Sequence, residues 1–449
     1  MRYRDFTLQI TADGTGGYTV RVLESPAGQT SGRFELPFPT RQLPEVLDDL
    51  DRSTRNLTPS GLLPERRRST PREVGTALFR ALFPDPVRSV LDRSLGSVDD
   101  SPEGGLRIKL QLDPTVPELA WLHRLPWELL HRPGPGDFPE SGDFLAFGRR
   151  SPIVRHLEVP RPIRPLPLPS PLRILVVISR AGSVELDLDR ERRNLEQIWG
   201  GRGGVEVVYL ERARLGAVRD ALLDEEFHVL HFMGHGTVGE GAEEGALLFE
   251  LSDRGAAPVT GGHLASVIQD FESLRLVCLN ACSTAELGRG AGAGGDGDAG
   301  DGDGDAGDRA NPFAAVAAAL VRGGIPAVVA MQRPISDRAA IDFGRAFYRR
   351  LAAGDPVDAA VVEGRHGIRA EDPGSGEWAT PVLFLRLADG RLFDKDAGEE
   401  GLLDRYLERV VEDSRWLALP GLPELGQRPR IPLETVFVNR RGDPATPEE

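Results

Sequence analysis

Cysteine is scarce in this chain, with two among 449 residues, at positions 278 and 282. So small a supply excludes a disulfide framework and suits a reducing compartment. Lysine is equally scarce, present only as Lys109 and Lys395, and the 54 Lys and Arg are outweighed by 69 Asp and Glu, giving a net charge of −15. That balance argues against nucleic acid as the main partner, because phosphate binding needs clustered positive charge. Long apolar runs are missing as well. The best stretch, residues 313–331, is interrupted by Arg322, Gly323, Gly324 and Pro326, so no membrane span is expected. The opening Met1-Arg2-Tyr3-Arg4-Asp5 has no apolar signal-peptide core, and cytoplasmic residence is the expectation. A phosphate loop of the Gly-rich Lys-Ser/Thr type does not occur either. No cofactor is expected.

What the chain does have is a pair of apolar runs that each end in a reactive side chain. Residues 227–233 close in Gly234-His235-Gly236, and residues 274–280 close in Ala281-Cys282-Ser283. Continuous apolar runs of this length fit central strands of a parallel sheet covered on both faces, and ligands of such sheets bind beyond the carboxyl ends of the strands. Cys282 follows His235 by 47 residues. That order and gap suit a cysteine nucleophile with a histidine base upstream. A thiol is mostly protonated at neutral pH and needs a neighbouring imidazole to become a good nucleophile, while histidine titrates near the working pH. Gly234 and Gly236 permit a sharp turn at the strand end, and the N–H groups of Gly236 and Cys282 are candidate oxyanion donors.

The flanking sequence supplies the frame. Residues 6–11 and 18–23 alternate around Gly16-Gly17 as a hairpin, with residues 34–38 as a third strand. Helical spacing covers residues 73–83, and residues 106–112 alternate as a strand. A proline-rich connector, residues 159–171, takes an extended path. Beyond it, a strand at 172–178, a helix at about 188–199 and a strand at 205–210 give a βαβ alternation with right-handed crossovers. Residues 288–307 are glycine, alanine, aspartate and one arginine, with nothing apolar larger than alanine, so no packed structure is expected there. Directly after the nucleophile candidate, that tract reads either as a solvated loop or as a regulatory, autocleaved or partner-binding segment. Its aspartates lack the ordered spacing and terminal Glu of a calcium loop.

Residues from about 70 to 390 resemble the CHAT domain, a relative of caspases and separase among the cysteine peptidases and known mainly from bacteria. The resemblance rests on the His235 and Cys282 segments together with Pro126-Trp127-Glu128-Leu129-Leu130 and Asn311-Pro312-Phe313-Ala314. It also rests on Gly323-Gly324-Ile325-Pro326, Ile335-Ser336-Asp337-Arg338 and Trp378-Ala379-Thr380-Pro381. Where the family often has tryptophan before a proline, this chain has Arg333-Pro334. The resemblance implies an α/β fold with a mostly parallel caspase-like sheet flanked by helices, a degenerate pseudo-protease half and a small N-terminal β-rich region. It implies a base at His235, a nucleophile at Cys282, and a protein substrate cleaved through an acyl-enzyme, in a regulated effector of defence or signalling. Separase places an acidic residue in the segment corresponding to 335–337, where it receives a basic substrate residue, so Asp337 is a candidate floor of the specificity pocket. Asp337 as the N-cap of a helix starting at Arg338 is the alternative. The expected domains are 1–57, 58–171 with the connector, 172–392 with the 288–308 insertion, and a tail, 393–449. That tail combines a helical stripe at 402–411 with an extended stretch at 417–437 and resembles the joint before a NACHT module, so a sensor or NTPase partner is implied.

Three other readings stand beside this one. A zinc site would draw on His228, His231, His235 and the two cysteines, but on a strand 228 and 231 face opposite sides. The fold could also serve as a catalytically silent interaction module. A flavodoxin-like nucleotide binder would need a helix directly after Gly236, where the sequence is instead rich in Gly and Glu.

Overall fold

Mostly apolar runs of five to seven residues make the parallel strands of the second half, and amphipathic segments make the helices that cover them. The computed structural model describes residues 2–14, 17–39, 42, 45–46, 50, 70–99, 104–112, 116–134, 142–157, 163–181, 193, 196–199, 204–238, 245–251, 255–281, 312–333, 335–395, 416–418 and 430–432. Strands in chain order are β1 (Arg2–Ala12), β2 (Tyr18–Glu24), β3 (Thr30–Phe34), β4 (Gly104–Gln111), β5 (His131–Pro133), β6 (Gly142–Phe144), β7 (Ile153–His156), β8 (Leu166–Pro167) and β9 (Leu172–Ile178). They continue as β10 (Val205–Leu210), β11 (Val229–Gly234), β12 (Gly236–Val238), β13 (Gly245–Glu250), β14 (Ala256–Thr260), β15 (Leu276–Ala281), β16 (Ala327–Met331) and β17 (Pro381–Leu385). The helices are α1 (Pro71–Leu82), α2 (Asp85–Asp99), α3 (Leu215–Asp224), α4 (Gly261–Ile268), α5 (Pro312–Arg322), α6 (Asp337–Ala352) and α7 (Val357–Glu371).

Eleven strands form one sheet in the order β10-β9-β11-β15-β16-β17-β7-β4-β1-β2-β3. From β10 to β16 every neighbour is parallel. β17 then turns the direction over, and β7, β4 and β1 run parallel with it. The first half of the chain is therefore joined to the second edge to edge, through β7 and β17. The expected third strand lies slightly earlier than residues 34–38, at Thr30–Phe34, where it pairs with β2. Pro37 and Pro39 have no N–H to extend that ladder. Of the helix expected at 188–199, residue 193 and residues 196–199 are described and are helical.

Strand period sorts the core into two faces. On one face Ile174, Val176, Val229, Met233, Leu276 and Val329 belong to one core, which extends to the buried faces of α6 and α7 and, in the first half, of α1 and α2. Leu175, Val177, Leu230, Phe232, Val277 and Val328 meet α3, α4 and α5 on the other. Helix starts follow local chemistry. Thr70 caps α1 in a capping box, accepting from Glu73 N at 3.2 Å while Glu73 accepts from Thr70 N at 3.0 Å, with Pro71 at the first helical position.

Buried charges tie the halves together. Arg107 Nε donates to Asp358 at 2.6 Å and its other nitrogens reach the Ala388 and Asp389 carbonyls. Glu128 accepts from Arg155 at 3.1 Å, and Arg155 also donates to Gln332 Oε1, just past β16, at 3.2 Å. Contacts divide the chain into two units, Met1–Phe393 and Asp394–Glu449. Within the second, Trp416–Ala418 pairs antiparallel with Arg430–Pro432; the helical stripe expected at 402–411 lies outside the described residues.

Candidate active site

β11 and β15 lie side by side, and their register runs from Val229 opposite Leu276 to Gly234 opposite Ala281. His235 is the residue after Gly234 in sequence, and Cys282 the residue after Ala281. Cys282 itself lies outside the described residues, as does the 288–307 tract. The strand ends that carry the two are thus in register at the carboxyl edge of the parallel block, where α/β sheets place their chemistry.

A small ladder fixes the histidine end. β12, β13 and β14 form an antiparallel sheet, and Gly236 lies opposite Leu247. Leu248 N donates to the His235 carbonyl at 2.9 Å. A bond flanking the 236–247 pair makes it a non-hydrogen-bonded pair, so the Gly236 N–H is directed away from β13. Sequence reading missed Ser179, which clamps this corner. Its N–H donates to the Met233 carbonyl at 2.8 Å and its hydroxyl to the Leu248 carbonyl at 2.6 Å, joining β9, β11 and β13. Only its position at the end of an apolar run could have pointed to it. Gly234 is confined by the same corner: a β-carbon there would stand 3.0 Å from the Ser179 Cβ and from the Phe232 ring.

Beneath this end, on the α6 side, a buried polar column fills the space between β11 and β15. His231 Nδ1 and the Tyr348 hydroxyl are 2.6 Å apart. Burial holds the His231 imidazole down to about 4, so it stays neutral at neutral pH. Cys278 lies opposite His231 in the register. Burial pushes its thiol up to about 12, against a smaller lowering from its hydrogen bond with Tyr348. These two residues are core. His228 accepts from Arg173 N at 3.0 Å and His231 is committed to Tyr348, so two of the three histidines considered for zinc are engaged in separate places. Among the described residues no group of three or more His, Cys, Asp or Glu converges on a metal position.

The residues after β16 carry the next segment that the family resemblance marked. Arg333, where the family pattern often has tryptophan, is buried, and Gln332 N donates to the Thr380 carbonyl at 2.9 Å. Asp337 is the first residue of α6, and the cap is Ser336, whose hydroxyl accepts from Ala339 N at 3.3 Å. The helix therefore starts one residue earlier than the capping alternative supposed, because the serine hydroxyl already satisfies the terminal N–H. Glu377, buried beside Trp378, accepts from both the Ser336 N–H (2.7 Å) and its hydroxyl (2.8 Å), and Asp337 is half-buried at this edge.

A scan against family models matches the CHAT domain over residues 72–386, more than half of the chain. The chain belongs to the CHAT domain family. No curated protein matches it. Among solved structures, this CHAT chain is similar to the Arg-specific cysteine proteinase gingipain R, at 12% identity and a TM-score of 0.38, over 79% of this chain and 76% of that one. It is similar also to separase in two Saccharomyces cerevisiae separase–securin complexes, at 11% and 12% identity and TM-scores of 0.41 and 0.42. Each of those alignments covers 85% of this chain and 30% of the other. Among the described residues of the CHAT chain, no helix is long and apolar enough to cross a membrane.

Proposed function

We propose that this CHAT protein is a cysteine endopeptidase in which His235 is the base and Cys282 the nucleophile. The observation that supports this most is the register of Gly234 with Ala281, since it brings the ends of the two motif-bearing strands together. The imidazole takes the Cys282 thiol proton, and the thiolate sulfur attacks the peptide carbonyl carbon as the C=O electron pair moves to oxygen. The N–H groups of Gly236 and Cys282 hydrogen-bond that oxyanion. Collapse expels the amine, which takes the proton from His235, and leaves a thioester. Water then attacks the thioester with His235 as base, releasing the acid and the thiol.

His231 does not compete for the base role, because burial makes it a poor proton acceptor and Tyr348 holds its Nδ1. Asp337, half-exposed at the start of α6, serves in this reading as the acidic floor for a basic substrate residue. The setting is a regulated effector of defence or signalling that meets a protein substrate and a sensor or NTPase partner. A peptide-library cleavage assay with the parent chain, Cys282→Ala and His235→Ala tests this. Both variants should lose activity by a factor on the order of a thousand or more while keeping the parent circular dichroism. Parent-level cleavage by Cys282→Ala would overturn the mechanism. A parent that neither cleaves nor reacts with a thiol-directed activity probe would make the chain a silent interaction module.

A further inference from the structure

A second concavity of about 680 Å³ opens in the first half of the chain, away from β11 and β15. Its walls hold Arg72 from α1, Arg88 from α2, Arg132 from β5 and Arg369 from α7. Among the described residues only Asp92 and Asp143 oppose them on the lining, and the chain as a whole carries −15. A concave wall concentrates the field of its charges, and among the described lining residues the cations outnumber the anions, against the net sign of the chain. The floor is Phe144, Leu145 and Phe147.

The arginines are arranged rather than merely near. Arg132 bonds Asp92 at 2.9 Å, and Arg88 approaches the same carboxylate at 4.0 Å, so one aspartate steadies two guanidinium groups. Arg369 lies over the Phe147 ring at 4.4 Å, which orients its planar fork. Arg72 makes no ion pair among the described residues, and its charge is felt nearby. Burial first, and then Arg72, holds the His131 imidazole below its ordinary value.

We infer that this cavity binds an acidic stretch of a partner polypeptide, with separate Asp or Glu carboxylates on the arginines and apolar side chains against Phe144 and Phe147. Four elements each contribute one arginine, so the positive groups are spread around the wall and match carboxylates spaced along a chain. A single compact anion would meet only part of the set. Planar arginine forks are suited to carboxylates bidentately. The inference does not depend on the peptidase reading.

Fluorescence anisotropy on the full chain carrying Cys282→Ala tests it, so that binding is read without cleavage. The probe is a fluorescein-labelled peptide with a Glu-Leu-Glu-Leu-Glu core, and the control carries Gln at each Glu. The Glu peptide should bind and weaken with added salt, the Gln peptide should bind at least about tenfold more weakly, and Arg72→Ala combined with Arg369→Ala should cost a similar factor. Circular dichroism of the double variant should match the parent, since both side chains reach the surface. Equal binding by parent and double variant, or equal binding of both peptides, would overturn the inference. Displacement by inorganic phosphate, where chloride at equal ionic strength does not displace, would overturn it in favour of a phosphate site. Binding that appears only after residues 288–307 are deleted would overturn it in favour of the chain's own acidic tract.

Discussion

Acidification should loosen this protein through His231, and the size of the effect follows from its surroundings. The imidazole is buried between β11 and α6, with Trp199 edge-on at 6.2 Å and Tyr348 at its Nδ1, and burial depresses it from 6.5 to about 4. The unfolded chain therefore binds a proton at higher pH than the folded chain does. Stability contributed by the neutral form is fully present above about pH 6.5 and is lost as pH falls toward 4. For a shift from 6.5 to about 4, linkage gives a loss of about 2 kcal/mol at pH 5 and about 3 kcal/mol at pH 4 relative to pH 7.5. Urea unfolding followed by tryptophan fluorescence at a series of pH values measures it, with His231→Gln as the reference because it keeps a group able to bond Tyr348 without titrating. The variant should start less stable at pH 7.5, and the gap should close by about 3 kcal/mol on going to pH 4. Parallel curves for parent and variant across that range would refute the reasoning.

Other consequences are as direct. Cys278, with its thiol raised to about 12 by burial, should alkylate at pH 8 on the order of a thousandfold more slowly than an ordinary cysteine. Mass spectrometry after iodoacetamide should show label at Cys282 alone until the chain is unfolded, and equal labelling of both in native protein would count against the buried column. Glu128→Ala removes the carboxylate from Arg155 in the interior and should cost about 3–5 kcal/mol in urea unfolding; a cost below about 1 kcal/mol would mean that Arg155 does not depend on this carboxylate. Gly234→Ala adds a carbon 3.0 Å from Ser179 and Phe232, and should lower peptide cleavage about tenfold or more for a stability cost of about 1–3 kcal/mol. Unchanged kcat/KM would show that this corner does not set the histidine.

Much of the frame of the candidate site is legible in the chain because its strands are buried on both faces. Residues 172–178, 227–233 and 274–280 announce themselves as apolar runs for that reason, and β9, β11 and β15 lie within a residue or two of those limits at each end. The helix from Glu73 onward was equally readable, since Val74, Leu78 and Leu82 recur at helical spacing and Thr70 and Glu73 spell a capping box. Ser179 was not legible, because a serine after a strand looks the same whether or not Leu248 brings a carbonyl to it. Nor was the arginine-lined cavity, whose four cationic residues lie as far apart in the chain as Arg72 and Arg369.

By itself the sequence settled the buried strands around 172–178, 227–233 and 274–280, the helix over 73–83, and which reactive residues stand at strand ends, because those follow from side-chain period and turn chemistry within a few residues. Tertiary structure decided the rest. The register of Gly234 with Ala281, the reversal at β17 that joins both halves in one sheet, and the choice of Ser336 over Asp337 as the α6 cap each needed a partner distant in the chain or an exact backbone geometry. Local preferences cannot specify these. They are selected when non-local burial and hydrogen bonding outweigh the entropy of closing long loops.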